Sequence, residues 1–345
     1  ILRRLKMLKL YDKQMNFIKT IAEYSELQIT EELNTGYKVA QFQLPYEVGL
    51  VQEEQKIEIN DYLYVVKEVN MEDNDYYEVF CKPYWGKLLG KHIDSLTGYS
   101  YSLQTCLDEV LAETDWTYKF EQAVSGVYTV KIERKSALDA IAALKQLYNV
   151  DFAFDTKNKV IHIWNTRGEY KETFFFNETN LRQCKVQSNT YDLITRLIPI
   201  GKNGAAINLV NGSMWVENYD YTDEVIVGYW VNSSVENADD LLKLAQDKID
   251  IYSKPQTTYK INITALHSSL AVGDKIRVID EIKGVDRVER IAKIVHYPTR
   301  EEESYVELGS PLVSFDNIYK SMQEAQKAVN EDTLRNLTEI NKLYS

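Results

Sequence analysis

The feature that most constrains this fold is a series of short apolar runs separated by turn residues, between Met15 and Lys82. The runs read LQITEEL, YKVAQFQLP, KIEIN, DYLYVVKEV and DYYEVFCK. In the second run, residues 38, 40, 42 and 44 would lie on one face and residues 37, 39, 41 and 43 on the other, which is the two-residue period of a strand. Asn34, Gly36, Pro45, Asn60 and Asn74 lie between the runs. This pattern predicts an antiparallel barrel or sandwich.

The apolar spacing changes to that of a helix after Ser102. Apolar residues recur three and four positions apart at Leu103, Leu107, Val110 and Leu111. The probable strands WTYKF and VYTVKI follow, and a second helix is predicted after Ser136, whose side chain is expected to cap it. The hairpin VDFAFDTKNKVIHIW, with its turn at residues 156–159, comes next. Residues 85–169 are therefore predicted to form one inserted α+β domain.

Strand patterns return after residue 170 and are interrupted once more. The run YDLITRLIPIGKNG leads into a polar excursion and then into a predicted helix from Asn237 to Tyr252, which stops before Pro255. Strands resume as TYKINITAL, KIRVID, RVERIAKIVHY and SYVELG. We expect these final strands to pair with the strands of residues 170–201. This predicts a second, discontinuous β-barrel domain at 170–200 plus 256–316, interrupted by an inserted α+β domain at 201–255.

The predicted fold class is α+β, predominantly β, with two small antiparallel barrel-like domains, two inserted α+β domains and a C-terminal helix. A chain of 345 residues exceeds the usual size of one core, and the first barrel domain is assigned to residues 1–84. The helix is assigned to residues 317–345. It fits both an oligomerising helix and a single amphipathic helix packed on its own domain, because its apolar or small residues recur mostly by fours and threes. These residues are Ile318, Met322, Ala325, Val329, Thr333, Leu337, Ile340 and Tyr344.

The charge balance and the cysteines limit the partners and the compartment. The chain has 52 acidic against 40 basic residues and a net charge of −12, which disfavours a nucleic-acid surface as the main activity. No stretch is apolar and long enough to span a bilayer. Cys81, Cys106 and Cys184 have no C-x-x-C spacing, so neither a disulfide framework nor a zinc knuckle is predicted. The 25 tyrosines indicate half-buried sheets and interfaces, with a glycan site as the alternative.

A search for catalytic chemistry assigns no catalytic, cofactor-binding or metal-binding residue. Cys81 in a strand and Cys106 in a helix fit small buried apolar residues better than thiolate nucleophiles. Neither G-x-S-x-G nor a nucleotide-binding glycine loop occurs, and the adjacent acids at 72–75 and 301–303 fit solvated turns. The histidines are far apart and lack a zinc-peptidase motif: His92, His162, His267 and His296. We therefore predict a non-enzymatic protein without cofactors.

Five stretches of the chain carry a resemblance to a known family. They are AQFQLP, TRLIPIGKNG, DEVIVGYWVNSSVENADDLLKLAQDKIDIYSKPQTTYKINITAL, LAVGDKIRVID and RIAKIVHYPTREEESYVELGS. Their order and spacing resemble the N-terminal hub region of the phage tail-associated lysin, or prophage endopeptidase tail, family. The match spans most of the chain as a long diffuse pattern, and no catalytic fingerprint is involved.

The resemblance implies the fold of the trimeric baseplate hub of contractile-tailed phages such as Mu. In such a homotrimer, three copies of two related barrel-like domains mimic a sixfold ring. The implied partners are distal tail or tail tube proteins on one side and spike, fibre or receptor-binding proteins on the other, with DNA passing transiently through a central channel. The implied location is the virion tail tip, after assembly in the cytoplasm of the bacterial host.

The chain departs from the family in one respect that bears on its activity. In many relatives a peptidase, lysozyme-like or fibre region follows the hub, whereas here a polar helical segment follows the hub signature. The function predicted is therefore that of a structural hub. The alternatives are a cell-wall-degrading endopeptidase whose catalytic part lies outside this chain, which turnover of cell wall would favour, and a carbohydrate-binding adhesin, which micromolar glycan binding would favour.

Overall fold

The computed structural model describes residues 7–49, 51–71, 75–176, 181–232, 235–263, 270–281 and 284–309. This part of the chain is mostly strand with a few short helices, so the predicted α+β, predominantly β fold class is confirmed. The predicted C-terminal helix at 317–345 and His267 lie outside the described residues. None of the described helices has the length and apolar character that crossing a membrane requires.

Seven strands form the first part of the chain, and the predicted alternation is present in the fourth. Ala40, Phe42 and Leu44 are buried there, while Gln41 and Gln43 between them are half-buried. A 3₁₀ helix at Tyr46–Val48 follows this strand. The strands are β1 Leu8–Tyr11, β2 Phe17–Ile21, β3 Ser25–Glu32, β4 Lys38–Pro45, β5 Lys56–Ile59, β6 Tyr62–Met71 and β7 Tyr76–Pro83.

Residues 85–169, called insertion 1 below, contain both helices that the spacing predicts. Ser102 and Ser136 cap them, because each hydroxyl oxygen accepts a backbone N–H three residues on, from Thr105 and Asp139, both at 3.1 Å. The elements are α1 Lys87–Gly90, β8 His92–Ser102, α2 Leu103–Leu111, β9 Thr117–Phe120, β10 Val127–Ser136, α3 Ala137–Leu147, β11 Asp151–Asp155 and β12 Val160–Trp164.

The rest of the described chain holds nine strands and the helix predicted from Asn237. The Asn237 side chain caps this helix, since its oxygen accepts the N–H groups of Asp239 and Asp240 at 2.8 and 3.2 Å. The 3₁₀ helices are Lys202–Gly204 and Glu301–Glu303. The other elements are β13 Tyr170–Phe176, β14 Leu181–Asn189, β15 Arg196–Gly201, α4 Asn208–Asn211, β16 Val216–Glu217, β17 Val227–Asn232, α5 Ala238–Tyr252, β18 Gln256–Ile263, β19 Lys275–Asp280, β20 Val285–His296 and β21 Tyr305–Gly309.

The predicted pairing of the final strands is correct for two segments and wrong for a third. β14 pairs antiparallel with β18, and β13 pairs parallel with β19. β15 instead pairs with β16 and β17 in a separate small sheet. Burial explains this, because Leu197 of β15 is buried in one apolar cluster with Leu241 and Ala245 of α5. We call residues 190–255, between β14 and β18, insertion 2; the division into domains stays a prediction.

Thirteen of the described strands form one continuous sheet. Its order is β14-β18-β21-β20-β3-β4-β7-β6-β5-β1-β2, with β19 beside β20 and β13 beside β19. Smaller sheets in the insertions are β8-β10, β11-β12-β9 and β16-β15-β17. The long sheet therefore contains strands from before insertion 1 and strands from after it, and the two insertions lie outside this sheet.

The long sheet contains the same five-strand arrangement twice. In unit 1, defined as β3 to β7, the order is β3-β4-β7-β6-β5, and in unit 2, defined as β14 and β18 to β21, it is β14-β18-β21-β20-β19. The two units share an irregularity, because the register of β6 on β7 shifts between Val66 and Glu68 and that of β20 on β21 shifts between Ile291 and Lys293. The units are therefore structural repeats with the same bulge.

Buried residues occupy corresponding positions in the two units. Phe42 lies opposite Val79 in unit 1, as Ile261 lies opposite Val306 in unit 2, and all four side chains are fully buried. Each unit has its own apolar cluster. A third cluster contains residues of both insertions, such as Leu144 and Leu241, so the two insertions share one core.

Candidate functional site

Strands β3 and β20 join the two units edge to edge. Lys293, Ile294, Val295 and His296 lie opposite Glu32, Glu31, Thr30 and Ile29, in that order. An ion pair of 3.3 Å between the Lys293 ammonium and the Glu32 carboxylate adds to the backbone ladder. This joint fixes how one repeat is oriented on the other within a single chain.

A polar cluster ties insertion 1 to the joint. Arg290 of β20 donates from Nη2 to the Asp151 carboxylate of β11, at 2.5 Å, and from Nε to the backbone oxygen of Gly273, at 3.1 Å. The backbone N–H of Arg167 donates to the same Asp151 oxygen at 2.8 Å. Because Asp151 and Arg290 belong to different parts of the chain, their contact fixes the position of insertion 1 against unit 2.

Glu31 is the acidic centre of the same region on the side of unit 1. Its carboxylate accepts a hydrogen bond from Nη2 of Arg167 at 2.7 Å and lies 3.3 Å from the Lys38 ammonium. Burial by itself raises the pKa of this carboxyl, but the charges of Lys38 and Arg167 outweigh it and lower the pKa below its usual value. Glu31 is therefore held ionised by the groups that connect insertion 1 to β3.

The chain leaves insertion 1 through a close backbone contact. A Cβ placed on Gly168 would lie 2.1 Å from the carbonyl carbon of Gly273, so a larger residue cannot occupy this position, where φ is +95°. The buried Asp274 carboxylate accepts the backbone N–H groups of Glu169 and Ala271, both at 2.9 Å. These contacts fix the path of the connection from insertion 1 into unit 2.

A cleft of about 780 Å³ opens between α3, the β3–β4 turn, β11 and β20. Its walls include the aromatic side chains of Tyr37, Trp85, Phe152 and Phe154. Lys145 of α3 also lines it and donates to the backbone oxygens of Leu33, at 3.1 Å, and Asn34. Burial lowers the pKa of Lys145 to about 8.

The hairpin tip of insertion 1 reaches unit 1 at a second place. The Thr156 hydroxyl accepts the N–H of Leu63 at 2.9 Å and donates to the Leu63 carbonyl oxygen at 2.8 Å. Next to it, Lys157 pairs with Asp61 at 2.6 Å and with Glu58 at 3.0 Å. Hydrogen bonds from Lys157 to these two carboxylates raise its pKa above the usual value. Insertion 1 is thus attached to both units.

Among the described residues, the side chains considered for catalysis are not brought together. His92 lies beside Asp94 at 3.1 Å, and Nδ1 of His162 lies 2.7 Å from Glu121. Cys81 and Cys106 are buried, and burial raises the pKa of both thiols, that of Cys106 to about 11. Within the described ranges, no group of three or more His, Cys, Asp or Glu residues could hold a metal ion.

The charged groups of the polar cluster hold parts of the chain against one another. None of the four residues of the polar cluster was predicted from the sequence as a site residue: Arg290, Asp151, Arg167 and Glu31. These residues belong to ordinary strands and loops and carry no motif, so only the folded structure brings them together.

The fold is that of known prophage tail proteins. The structure is similar to the prophage tail protein gp18 from Listeria monocytogenes EGD-e, with 16% identity, a TM-score of 0.65 and coverage of 93% of this chain and 99% of that chain. It is also similar to the 43 kDa tail protein of prophage MuSo2 from Shewanella oneidensis, with 14% identity, a TM-score of 0.65 and coverage of 88% and 98%. The tail protein from Neisseria meningitidis MC58 is similar as well, with 9% identity, a TM-score of 0.64 and coverage of 88% of this chain and 96% of that chain.

The sequence also matches two family models. Residues 169–319 match the model described as prophage endopeptidase tail, and residues 91–163 match the one described as prophage endopeptidase tail domain. Together the matches cover well over half of the chain, and the chain belongs to the prophage endopeptidase tail family. The resemblance found in the sequence is thereby confirmed. A comparison with the curated proteins finds no match.

Proposed function

We propose that this protein is the structural hub of a bacteriophage or prophage tail tip, in which three copies form a ring around a channel. The observation that carries the proposal is the joint at which Val295 of unit 2 lies opposite Thr30 of unit 1. Each chain thereby contributes two related units side by side. Three chains would contribute six, which suits a sixfold tail tube on one face and a threefold spike or fibre on the other.

A structural role fits the chemistry of the described residues better than hydrolysis does. An endopeptidase needs an activated nucleophile or a metal-bound water. Cys81 and Cys106 are buried with raised thiol pKa values, and the acids of the polar cluster accept hydrogen bonds from arginine and backbone groups. We therefore propose a structural role for this chain and not the endopeptidase activity that the family description mentions.

The charge of the chain supports passage of DNA without retention. With a net charge of −12 per copy, a ring of three copies carries a strong excess of negative charge. Negative channel walls repel phosphate and neutral walls do not attract it, so DNA would slide through the ring without binding. We propose tail tube proteins and spike or receptor-binding proteins as the lasting partners, and the virion tail tip as the location.

The mass of the protein in solution tests the proposal. Light scattering on a size exclusion column, at several concentrations, should give about three times 40.1 kDa, and electron microscopy of the same peak should show rings with a central hole. A monomer at every concentration would contradict a ring that forms by itself. Release of soluble fragments from purified cell wall, or binding to glycans in the micromolar range, would favour the endopeptidase or the adhesin instead.

A further inference from the structure

Each unit has one sheet edge that is unpaired within the described residues, although the corresponding edge of the other unit is paired in the joint between the units. In unit 1 the outer edge of β3 is paired with residues 293–296 of β20. The corresponding strand of unit 2 is β14, which pairs only with β18 among the described residues. The counterpart of β20 in unit 1 is β6, and its residues 68–71 correspond to residues 293–296 of β20. These residues pair with β7 on one side, and on the other side β5 pairs with β6 only as far as Val65. Within the part of the chain that the structure describes, both counterparts of the internal joint are therefore open.

We propose that neighbouring copies are joined by antiparallel pairing of β14 of one copy with residues 68–71 of β6 of the next. This inference rests on the proposed trimeric hub and specifies its subunit interface. The joint between chains then repeats the joint within the chain. A backbone ladder holds it, as in other cases where a strand is added to a sheet edge.

The repeat also fixes the register of the proposed pair. On the β20 side, Ile294 lies opposite Val306, and Val306 corresponds to Val79, which lies opposite Val69. Val69 therefore corresponds to Ile294, and Met71 to His296.

The same reasoning applies to β14. Ile29 lies opposite Ala40, and Val186 lies opposite Tyr259, which corresponds to Ala40. Val186 therefore corresponds to Ile29. Since His296 lies opposite Ile29 within the chain, Met71 of one copy is expected opposite Val186 of the next, followed by Asn70 with Gln187, Val69 with Ser188 and Glu68 with Asn189.

Exposure of the two edges agrees with this pairing. Met71 is 62% exposed and Val186 37% exposed, although both are large apolar residues. Their counterparts in the internal joint, His296 and Ile29, are half-buried. An open edge with apolar side chains favours pairing with another strand, and a repeated contact between unlike surfaces forms a ring when its rotation is a whole fraction of a turn. In the proposed trimer, two joints of the same kind per chain give six joints around the ring.

Disulfide trapping tests the register directly. The double variant Met71→Cys/Val186→Cys is prepared as the full chain with Cys184→Ser, because Cys184 is only two residues from position 186 in the sequence. Directly opposite residues of an antiparallel pair bring their Cβ atoms within reach of a disulfide. Mild oxidation should give a covalent trimer on a denaturing gel without reductant, and the reductant should return it to monomer.

Three control samples show which cross-link produces each band on the gel. A mixture of the two single variants should stop at covalent dimers, because each chain then offers one thiol. The variant Met71→Cys/Ser188→Cys, displaced along the strand, should give at least five times less trimer. Ile29→Cys/His296→Cys, the matched pair of the internal joint, should form its bridge within one chain and stay monomeric.

The outcomes distinguish failure of the proposed strand pairing from failure of the proposed hub. A covalent trimer from the Met71 and Val186 pair supports the strand pairing. If light scattering shows a trimer but neither the double variant nor the mixture cross-links, the strand pairing is overturned and the hub stands. If there is neither a trimer nor a cross-link while the internal control forms its bridge, both proposals fall.

Discussion

Arg290 of β20 and Asp151 of β11 form an ion pair at the place where insertion 1 meets unit 2. The guanidinium also donates to the backbone oxygens of Gly273, at 3.1 Å, and Arg167, at 2.5 Å. One side chain therefore holds a carboxylate and two carbonyl groups from three separate segments. Its removal leaves all three acceptors without this donor.

Replacing Arg290 by alanine should destabilise the protein by about 2 kcal/mol, because partly buried acceptors lose a charged hydrogen-bond donor. Urea unfolding followed by circular dichroism measures the loss. The control is Arg277→Ala, which removes another arginine–aspartate pair from the same hairpin; Arg277 pairs with Asp286 at 2.7 Å, with side chains 40% and 54% exposed. An exposed pair contributes little, so the control should lose much less. Equal losses would contradict the role assigned to Arg290.

Lys145 should make stability rise with pH in the alkaline range. Its pKa is about 8 in the folded protein, whereas in the unfolded chain it has the ordinary value of 10.5. Between these two pH values the unfolded chain therefore binds more protons than the folded protein. Raising the pH from 7 to 10 should therefore stabilise the wild type relative to Lys145→Met by roughly 2 kcal/mol. Urea unfolding of both proteins across this range measures the difference. Parallel pH profiles would show that Lys145 titrates normally.

The thiols of Cys81 and Cys106 should be unreactive in the native protein. Burial raises the pKa of both, and the thiolate is the reactive form. With Cys184→Ser, titration with a chromogenic disulfide reagent at pH 8 should detect no rapidly reacting thiol until denaturant is added, and then two. One fast thiol in the folded protein would identify an activated cysteine and reopen the question of nucleophilic catalysis.

The sequence was most informative where the apolar period is regular. The period of β4, the spacing of Leu103, Leu107 and Val110, and the capping side chain of Ser136 each predicted an element that the structure contains. These signals are local, because burial of one face and satisfaction of helix-end N–H groups act within a few residues. β1 lies before Met15, where no strand was predicted.

Long-range pairing could not be read from the sequence in the same way. β15 looks like a strand of the second barrel, yet it pairs with β16 and β17, because burying Leu197 against α5 decides its sheet. The polar cluster is likewise invisible in the sequence, since Asp151 and Arg290 meet only after insertion 1 has docked. The predicted absence of a catalytic site stays a prediction.

Thr156 provides the sharpest test of how insertion 1 is attached to unit 1. Its side chain is fully buried, and its hydroxyl makes two hydrogen bonds with the backbone of Leu63, at 2.8 and 2.9 Å. Thr156→Val keeps the shape but removes both hydrogen bonds. The buried N–H of Leu63 loses this partner, whereas the Leu63 carbonyl still accepts the backbone N–H of Tyr84 at 3.1 Å. The expected loss is about 2 kcal/mol in the free energy of unfolding, since unsatisfied buried groups retain their full desolvation cost.

Thr156→Ser is the matched control, because it keeps the hydroxyl and removes only a methyl group. We expect it to retain most of the stability, and hydrogen exchange should show strong protection of the Leu63 amide in the wild type and the serine variant but faster exchange in the valine variant. If valine and serine were equally stable and equally protected, the hydroxyl would contribute nothing. The attachment would then rest on the neighbouring ion pairs of Lys157 with Glu58 and Asp61.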